Sequence, residues 1–197
     1  CSIDATPSNW WSTVIKHNNL KTVLHLQENV GGYRENAQQE PLLQKSVQSG
    51  AFSYKFRRTT AHKTGCACAE CVFRESVLNS KKFKDFIVKN TNLKKPVLSE
   101  TFTSAYYPGD FLGQHTDKKR GIAFIFNLSW KWKPEYGGLL HVENESGFQC
   151  YVPGWGDLVL LELGESGENH FVSEVTSMAP RPRIAISGWY NEGDTDA

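Results

Sequence analysis

His115 and Asp117, one residue apart in Gly113-Gln-His-Thr-Asp-Lys118, together with the later His170, are the side chains whose types and spacing could do chemistry. In a β-strand, residues two apart point the same way, so one short strand offers an imidazole and a carboxylate to a common point. A second imidazole then completes a metal site. Two histidines and one carboxylate on one face of an octahedron leave the opposite positions open, the ligand pattern of non-heme Fe(II) centres that handle O2. A His-x-Asp triplet alone arises easily by chance, and a single later histidine is more often structural. The specificity lies in order, spacing and flanking residues.

The elements that must position these residues are legible in part. Helical spacing is expected around Gln38 to Ser49 and around Glu75 to Lys89, where Val77, Leu78, Phe83, Phe86 and Ile87 recur on one side. Between them, Ala51 to Arg57 alternates Tyr54 and Phe56 with Lys55 and Arg57, a strand with one buried and one wet face. Residues 59–72 read as a loop. From Pro96 onward short apolar or alternating runs follow one another: Thr101 to Tyr107, Ile122 to Leu128, Leu139 to Val142, Gln149 to Val152, Leu158 to Leu163, His170 to Val175 and Arg183 to Tyr190. Turn residues such as Pro108-Gly-Asp110, Gly137-Gly138 and Pro153-Gly154 separate them. Many short strands at this spacing imply a sandwich or barrel.

A chain of 197 residues is long enough to bury a core without metal or disulfide staples. Lys+Arg 22 against Asp+Glu 21 leaves a formal charge of +1, so no global field argues for nucleic acid or an anionic membrane surface. No apolar run approaches the roughly 18 residues of a membrane span. No signal peptide is expected in Cys1-Ser-Ile-Asp-Ala-Thr-Pro7, which lacks a basic stretch followed by an apolar one. Five cysteines is an odd number, and three of them crowd into Cys66-Ala-Cys68-Ala-Glu-Cys71, unlike a paired secretory framework. A reducing cytoplasm is the expected location. With His62 upstream the group has metal-like composition, but its spacing is not a standard zinc pattern, and merely reduced thiols in a loop are the plainer account. Cys150 is expected to be buried in a strand.

Four ordered stretches resemble the catalytic core of 2-oxoglutarate and Fe(II)-dependent oxygenases, in particular the prolyl-4-hydroxylase-like group. They are Tyr107-Pro-Gly-Asp-Phe-Leu-Gly-Gln-His-Thr-Asp117, Phe126-Asn-Leu-Ser-Trp-Lys-Trp-Lys-Pro-Glu-Tyr-Gly-Gly138, Gly156-Asp-Leu158 leading to His170-Phe-Val-Ser-Glu-Val175, and Arg183-Ile-Ala-Ile-Ser-Gly-Trp-Tyr190. The resemblance implies a mainly β fold: a double-stranded β-helix (jelly-roll, cupin-like) core over residues 99–192, braced by N-terminal α-helices and a strand within residues 1–98, all in one domain of residues 1–197. It makes His115, Asp117 and His170 the iron ligands and Arg183 the partner of the distal carboxylate of 2-oxoglutarate. A guanidinium suits that role because it stays charged and grips a carboxylate through two parallel hydrogen bonds. Ser187, on the same strand face as Arg183, is placed to add a hydrogen bond. Tyr107 matches the tyrosine that approaches the cosubstrate, with Tyr106 as the alternative, and Asn127 stands where many relatives have a second tyrosine. Trp189 aligns with an aromatic bordering the pocket. Arg181, followed by Pro182, is expected at the surface.

What the resemblance further implies is Fe(II), 2-oxoglutarate and O2 as cofactor and cosubstrates, with ascorbate in a supporting role, succinate and CO2 as coproducts, and hydroxylation of a C–H bond in a peptide, protein or free amino acid, prolyl in type. Similar halogenases replace the carboxylate ligand by a small residue, whereas Asp117 stands here. Two other readings remain open at this stage: a binding jelly roll with a vestigial metal site, and a cupin-type metalloenzyme that uses no cosubstrate. Basic residues gather at Lys55-Phe-Arg-Arg58, Lys81-Lys-Phe-Lys84, Lys94-Lys95 and Lys118-Lys-Arg120. Such runs are usually solvated faces, and the last could border the site.

Overall fold

Eleven strands hydrogen-bond into one curled sheet in the order β8-β7-β10-β5-β3-β4-β11-β6-β9, with β1 and β2 attached through β3. The computed structural model describes residues 11–17, 20–25, 31–59, 65–117, 121–163 and 167–194. In chain order the elements are β1 (Trp11–His17), β2 (Leu20–His25), α1 (Gly31–Gln48), β3 (Tyr54–Thr59), α2 (Ala69–Phe73), a π-helical turn at Arg74–Leu78, α3 (Lys81–Asn90), β4 (Pro96–Tyr106), β5 (Phe111–His115), β6 (Ile122–Asn127), β7 (Leu140–Asn144), β8 (Gly147–Tyr151), β9 (Leu158–Glu162), β10 (His170–Val172) and β11 (Arg183–Glu192). The eight strands from β4 onward divide into a four-stranded row β4-β11-β6-β9 and a second row β5-β10-β7-β8. That division is the double-stranded β-helix expected from the sequence. β3 bridges the rows at one edge, since Arg57 and Arg58 pair with β4 while Tyr54 and Lys55 pair with β5.

Side-chain parity assigns the two faces of the first row, because successive strand residues point to opposite sides. On β6, Ile122 and Phe124 face outward, whereas Ala123 and Ile125 turn into the barrel. On β11, Ile186 and Tyr190 face outward, whereas Trp189 turns inward with Arg183 on the same parity. The inner core includes Phe56, Phe102, Tyr106, Leu140, Val142, Leu161 and Val175. The outer one joins Phe124, Ile186 and Tyr190 to Leu78, Ile87 and Leu93, and is roofed by the helical segment.

That roof differs from the single helix and preceding loop expected from periodicity. Helix α2 already begins at Ala69, and the expected helix from Glu75 to Lys89 is broken: a π-turn ends at Leu78, and Ser80 restarts the chain as N-cap of α3, its hydroxyl accepting the Phe83 amide at 3.2 Å. Serine at that position competes with the helix interior for backbone bonds, which a periodicity count does not register. Helix α1 begins earlier and β4 is longer at its start than expected. β1 and β2 carried no clear strand signal in the sequence. Cys150 is exposed on β8, a correction to its expected burial: β8 is the outermost strand of its row, covered on only one side.

The tight connection from β4 to β5 aims the latter at the site. Within it Asp110 is buried, its carboxylate accepting the Tyr107 amide at 2.9 Å with the Lys55 ammonium 4.0 Å away. Burial outweighs that bond and the Lys55 charge, and pushes the Asp110 pKa up to about 6 from 3.8. A carboxyl raised in the folded state retains its proton after the unfolded chain has lost it, so its contribution to stability is fully present below pH about 4 and is lost as pH rises through about 6. The difference is on the order of 2–3 kcal/mol. Urea denaturation across this window should show Asp110→Asn lacking this part of the slope. A second expected effect concerns the roof: Tyr190→Phe, which removes the buried 2.7 Å bond from the hydroxyl to the Leu78 carbonyl, should cost about 1–3 kcal/mol in the same assay.

Candidate active site

The two imidazoles meet because β5 and β10 are antiparallel neighbours with His115 and His170 as direct register partners. Their ring centroids are 4.2 Å apart. Each ring is oriented by the backbone two residues before it: His115 Nδ1 lies 2.9 Å from the Gly113 carbonyl and His170 Nδ1 lies 3.0 Å from the Glu168 carbonyl. A carbonyl only accepts, so both Nδ1 atoms carry the proton and both Nε2 lone pairs turn toward the centre of the site. Backbone partners of this kind fix the tautomer of metal-binding histidines. Burial, and then the neighbouring His170 ring, hold the His115 pKa below its ordinary value, keeping the ring in the neutral form that can ligate. Phe52 stacks on the outer side of His115 at 4.9 Å.

Asp117 lies outside the strand that was expected to carry it. β5 ends at His115, and Asp117 follows in non-strand chain. It still converges: Oδ1 is 3.6 Å from His115 Nε2 and Oδ2 is 3.8 Å from His170 Nε2, and the ligating atoms of all three residues lie within 4.8 Å of one another. The indole N–H of Trp189 donates to Oδ2 at 2.9 Å and replaces the strand ladder as the device that aims the carboxylate. Two imidazoles with Nε2 turned to a common point and one carboxylate are donors that suit Fe(II), so the residues fit that ion.

Deeper in the barrel, on the inner face of β11, Arg183 is 2% exposed. Among the described residues no carboxylate pairs with it. Its Nη2 donates weakly to Asn127 Oδ1 at 3.4 Å, its Nε has no partner, and its Cζ lies 5.1 Å from the centre of the Tyr106 ring. Burial pulls its pKa below the ordinary arginine value. A cation withdrawn from water without a counter-ion costs several kcal/mol, and an anion entering the cavity would offset that cost. Gly138, in the left-handed region at φ 62°, permits close approach here, since a Cβ would stand 3.0 Å from Arg183 Cδ.

Of the other residues singled out in the sequence, Ser187 follows on the inner face of β11, in register with Phe102 and Ile125. Arg181 is exposed, as expected. Of the two tyrosines, the pleat of β4 turns Tyr106 inward, stacked on Phe56 at 5.0 Å and in register with Arg183, while Tyr107 lies beneath Arg57, whose Cζ is 4.0 Å from its ring centre. The segment from Lys118 to Arg120 and His62 lie outside the described residues. Sequence reading missed the indole donor to Asp117, the Phe52 stack and the pair formed by Arg58 and Glu100 at 2.8 Å. Strand parity on β11 was a usable signal for Trp189. Nothing local pointed to the other two.

Residues 101–191 match the family model described as the 2OG-Fe(II) oxygenase superfamily. This part of the chain is similar to that superfamily. Its members use Fe(II) and 2-oxoglutarate, and the His115, Asp117 and His170 cluster lies within the matched stretch. Among solved structures, a 2OG-Fe(II) oxygenase-family oxidoreductase from Burkholderia pseudomallei superposes with a TM-score of 0.58 at 11% identity, covering 72% of this chain and 68% of that one. A prolyl hydroxylase from Trichoplax adhaerens, in complex with a hypoxia inducible factor oxygen degradation domain peptide fragment, gives 0.56 at 18% identity over 94% and 84%. The viral collagen prolyl hydroxylase of Paramecium Bursaria Chlorella virus-1, in a 2OG complex, gives 0.54 at 13% identity over 98% and 100%. At these identities the likeness establishes the shared fold. No curated protein sequence matches the chain.

Trp189→Phe keeps an aromatic ring but deletes the donor to Asp117. Anaerobic titration with Fe(II) or Mn(II) should show binding weakened about 10–100-fold, the usual cost of losing a hydrogen bond that orients a ligand.

Proposed function

We propose that the protein is a 2-oxoglutarate- and Fe(II)-dependent dioxygenase that hydroxylates an unactivated C–H bond of a peptidyl or free amino acid, prolyl in type. The observation that carries this reading is Arg183, a buried guanidinium without a carboxylate partner among the described residues, inside the barrel that presents two imidazoles and a carboxylate. His115, Asp117 and His170 would hold the iron. Arg183 would take the distal carboxylate of 2-oxoglutarate through a guanidinium whose Nε has no partner, with Asn127 steadying Nη2 from one side and Ser187 offering a hydroxyl. Tyr106 is better placed than Tyr107 to wall the cosubstrate, because its ring already faces Arg183. When bound, Fe(II) with 2-oxoglutarate and O2 supplies the oxidising power, releasing succinate and CO2, with ascorbate in support.

The chain's own contribution is orientation and exclusion of water. Phe52 against His115 and Trp189 beside Asp117 give the metal centre apolar walls, which suit a small apolar ring better than a charged side chain. The peptide named with the Trichoplax prolyl hydroxylase and the collagen named with the viral enzyme support a peptidyl substrate. Among the described residues no helix is long and apolar enough to cross a membrane. We read the working compartment as cytoplasmic, on the odd, clustered thiols.

The test has two stages. Anaerobic addition of Fe(II) and 2-oxoglutarate should produce a weak visible charge-transfer band, and a non-catalytic scaffold would give none. Peptides and free amino acids are then screened for substrate-dependent succinate release and a single added oxygen. Arg183→Ala should raise the 2-oxoglutarate requirement on the order of 10²–10³-fold, the scale expected on removing one partner of a buried charged pair. An Arg183→Ala enzyme of unchanged activity would instead identify a metalloenzyme that needs no ketoacid.

A further inference from the structure

A second set of metal-binding side chains lies on the opposite side of the sheet from the histidines. Helix α2 packs on the outer face of the barrel: Phe73 meets Phe126 at 5.2 Å between ring centroids, and the Glu70 carboxylate accepts hydroxyl bonds from Thr59 and Thr103. At the start of this helix Cys66, Cys68 and Cys71 bring their sulfur atoms within 4.8 Å of one another. None of the three is in a disulfide; Cys71 is buried and the other two are half-buried. The Cys71 amide donates to Cys68 Sγ at 3.4 Å, so one sulfur already serves as an acceptor and is held in place by the backbone.

Chemistry narrows what this group would bind. Thiolates are soft donors and select zinc(II), copper(I) or iron–sulfur centres over magnesium or calcium. With Zn–S bonds of about 2.3 Å, two thiolates on one tetrahedral ion stand about 3.8 Å apart, a spacing the cluster reaches with shifts of an ångström or less. Cys68 and Cys71 have the two-residue spacing that recurs in zinc sites, and the fold adds Cys66, which the sequence spacing alone did not recommend. The described residues supply no fourth donor, and water fills that vertex in the minimal form of the site.

We propose that Cys66, Cys68 and Cys71 form a second, thiolate metal site for one ion of the zinc(II) class, separate from the histidine and carboxylate centre, which pins the chain between β3 and α2 to the outer face of the barrel. An ion there ties residues 66 and 68 to a helix already anchored through Glu70, and would stabilise the folded chain in proportion to its occupancy.

Cobalt(II) is the probe, because a thiolate ligand gives it an intense near-ultraviolet charge-transfer absorption that imidazole and carboxylate ligands do not. The full chain, fully reduced and metal-free, is titrated with cobalt(II) under anaerobic conditions and then with zinc(II). One equivalent should give the thiolate band and zinc should abolish it. Cys66→Ser and Cys68→Ser should each lose most of the band, Cys150→Ser should keep it, and His115→Ala should keep it too, so the result is independent of whether the iron centre works. If buried Cys71 tolerates no replacement, the two half-buried cysteines carry the test. Absence of the band in reduced protein, or its survival in Cys68→Ser, overturns the proposal.

Discussion

A guanidinium sealed inside an apolar barrel is the constraint around which the rest of this structure is arranged. Removing Arg183 from water is unfavourable unless an anion accompanies it, and the described residues offer only a weak amide contact and an aromatic ring. A scaffold selected for stability alone would place an aliphatic residue at that position on β11. The cation is therefore the feature on which the proposed binding of an anionic cosubstrate rests. Everything on the inner face of the first strand row can be understood as supporting this arrangement: Asn127 across one ladder, Tyr106 across the other, and Gly138 allowing the backbone to close over the stem.

The metal-binding residues depend on a different device, the register of two short strands. β10 has only three residues, yet His170 at its start is locked opposite His115 at the end of β5. Carbonyls two residues before each histidine, at Gly113 and Glu168, set both tautomers, so orientation comes from backbone groups that no substitution can alter directly. Gly113 permits this geometry, because a Cβ there would stand 2.5 Å from the Ser53 carbonyl. Asp117, beyond the ladder, needs a side-chain partner instead, and the Trp189 indole reaches it from the other row. The two rows of the barrel are thus joined at the metal centre by a hydrogen bond as well as by the core.

Two cores on opposite faces of one sheet explain why the helices matter to a site they do not touch. Phe124 and Tyr190, fully buried on the outer face, fix the row whose inner face carries Arg183 and Trp189. Strand residues alternate sides, so a one-residue slip would exchange the two sets and destroy core and site together. The helical roof holds that register from outside.

By itself the sequence determined the barrel, its strand succession and the convergence of His115, Asp117 and His170. Those features follow from alternating patterns and ordered motifs, which are local properties. Tertiary structure decided what depends on partners distant in the chain: that Tyr106 rather than Tyr107 faces the guanidinium, that Asp117 is held by an indole instead of a strand, that the second predicted helix breaks at Ser80, and that Cys150 is exposed. It also gathered three thiols whose spacing in the sequence is not a standard zinc pattern. A pleat fixes parity only once register is known, and register is set by pairing between strands far apart in sequence, as between Tyr106 and Arg183, 77 residues apart.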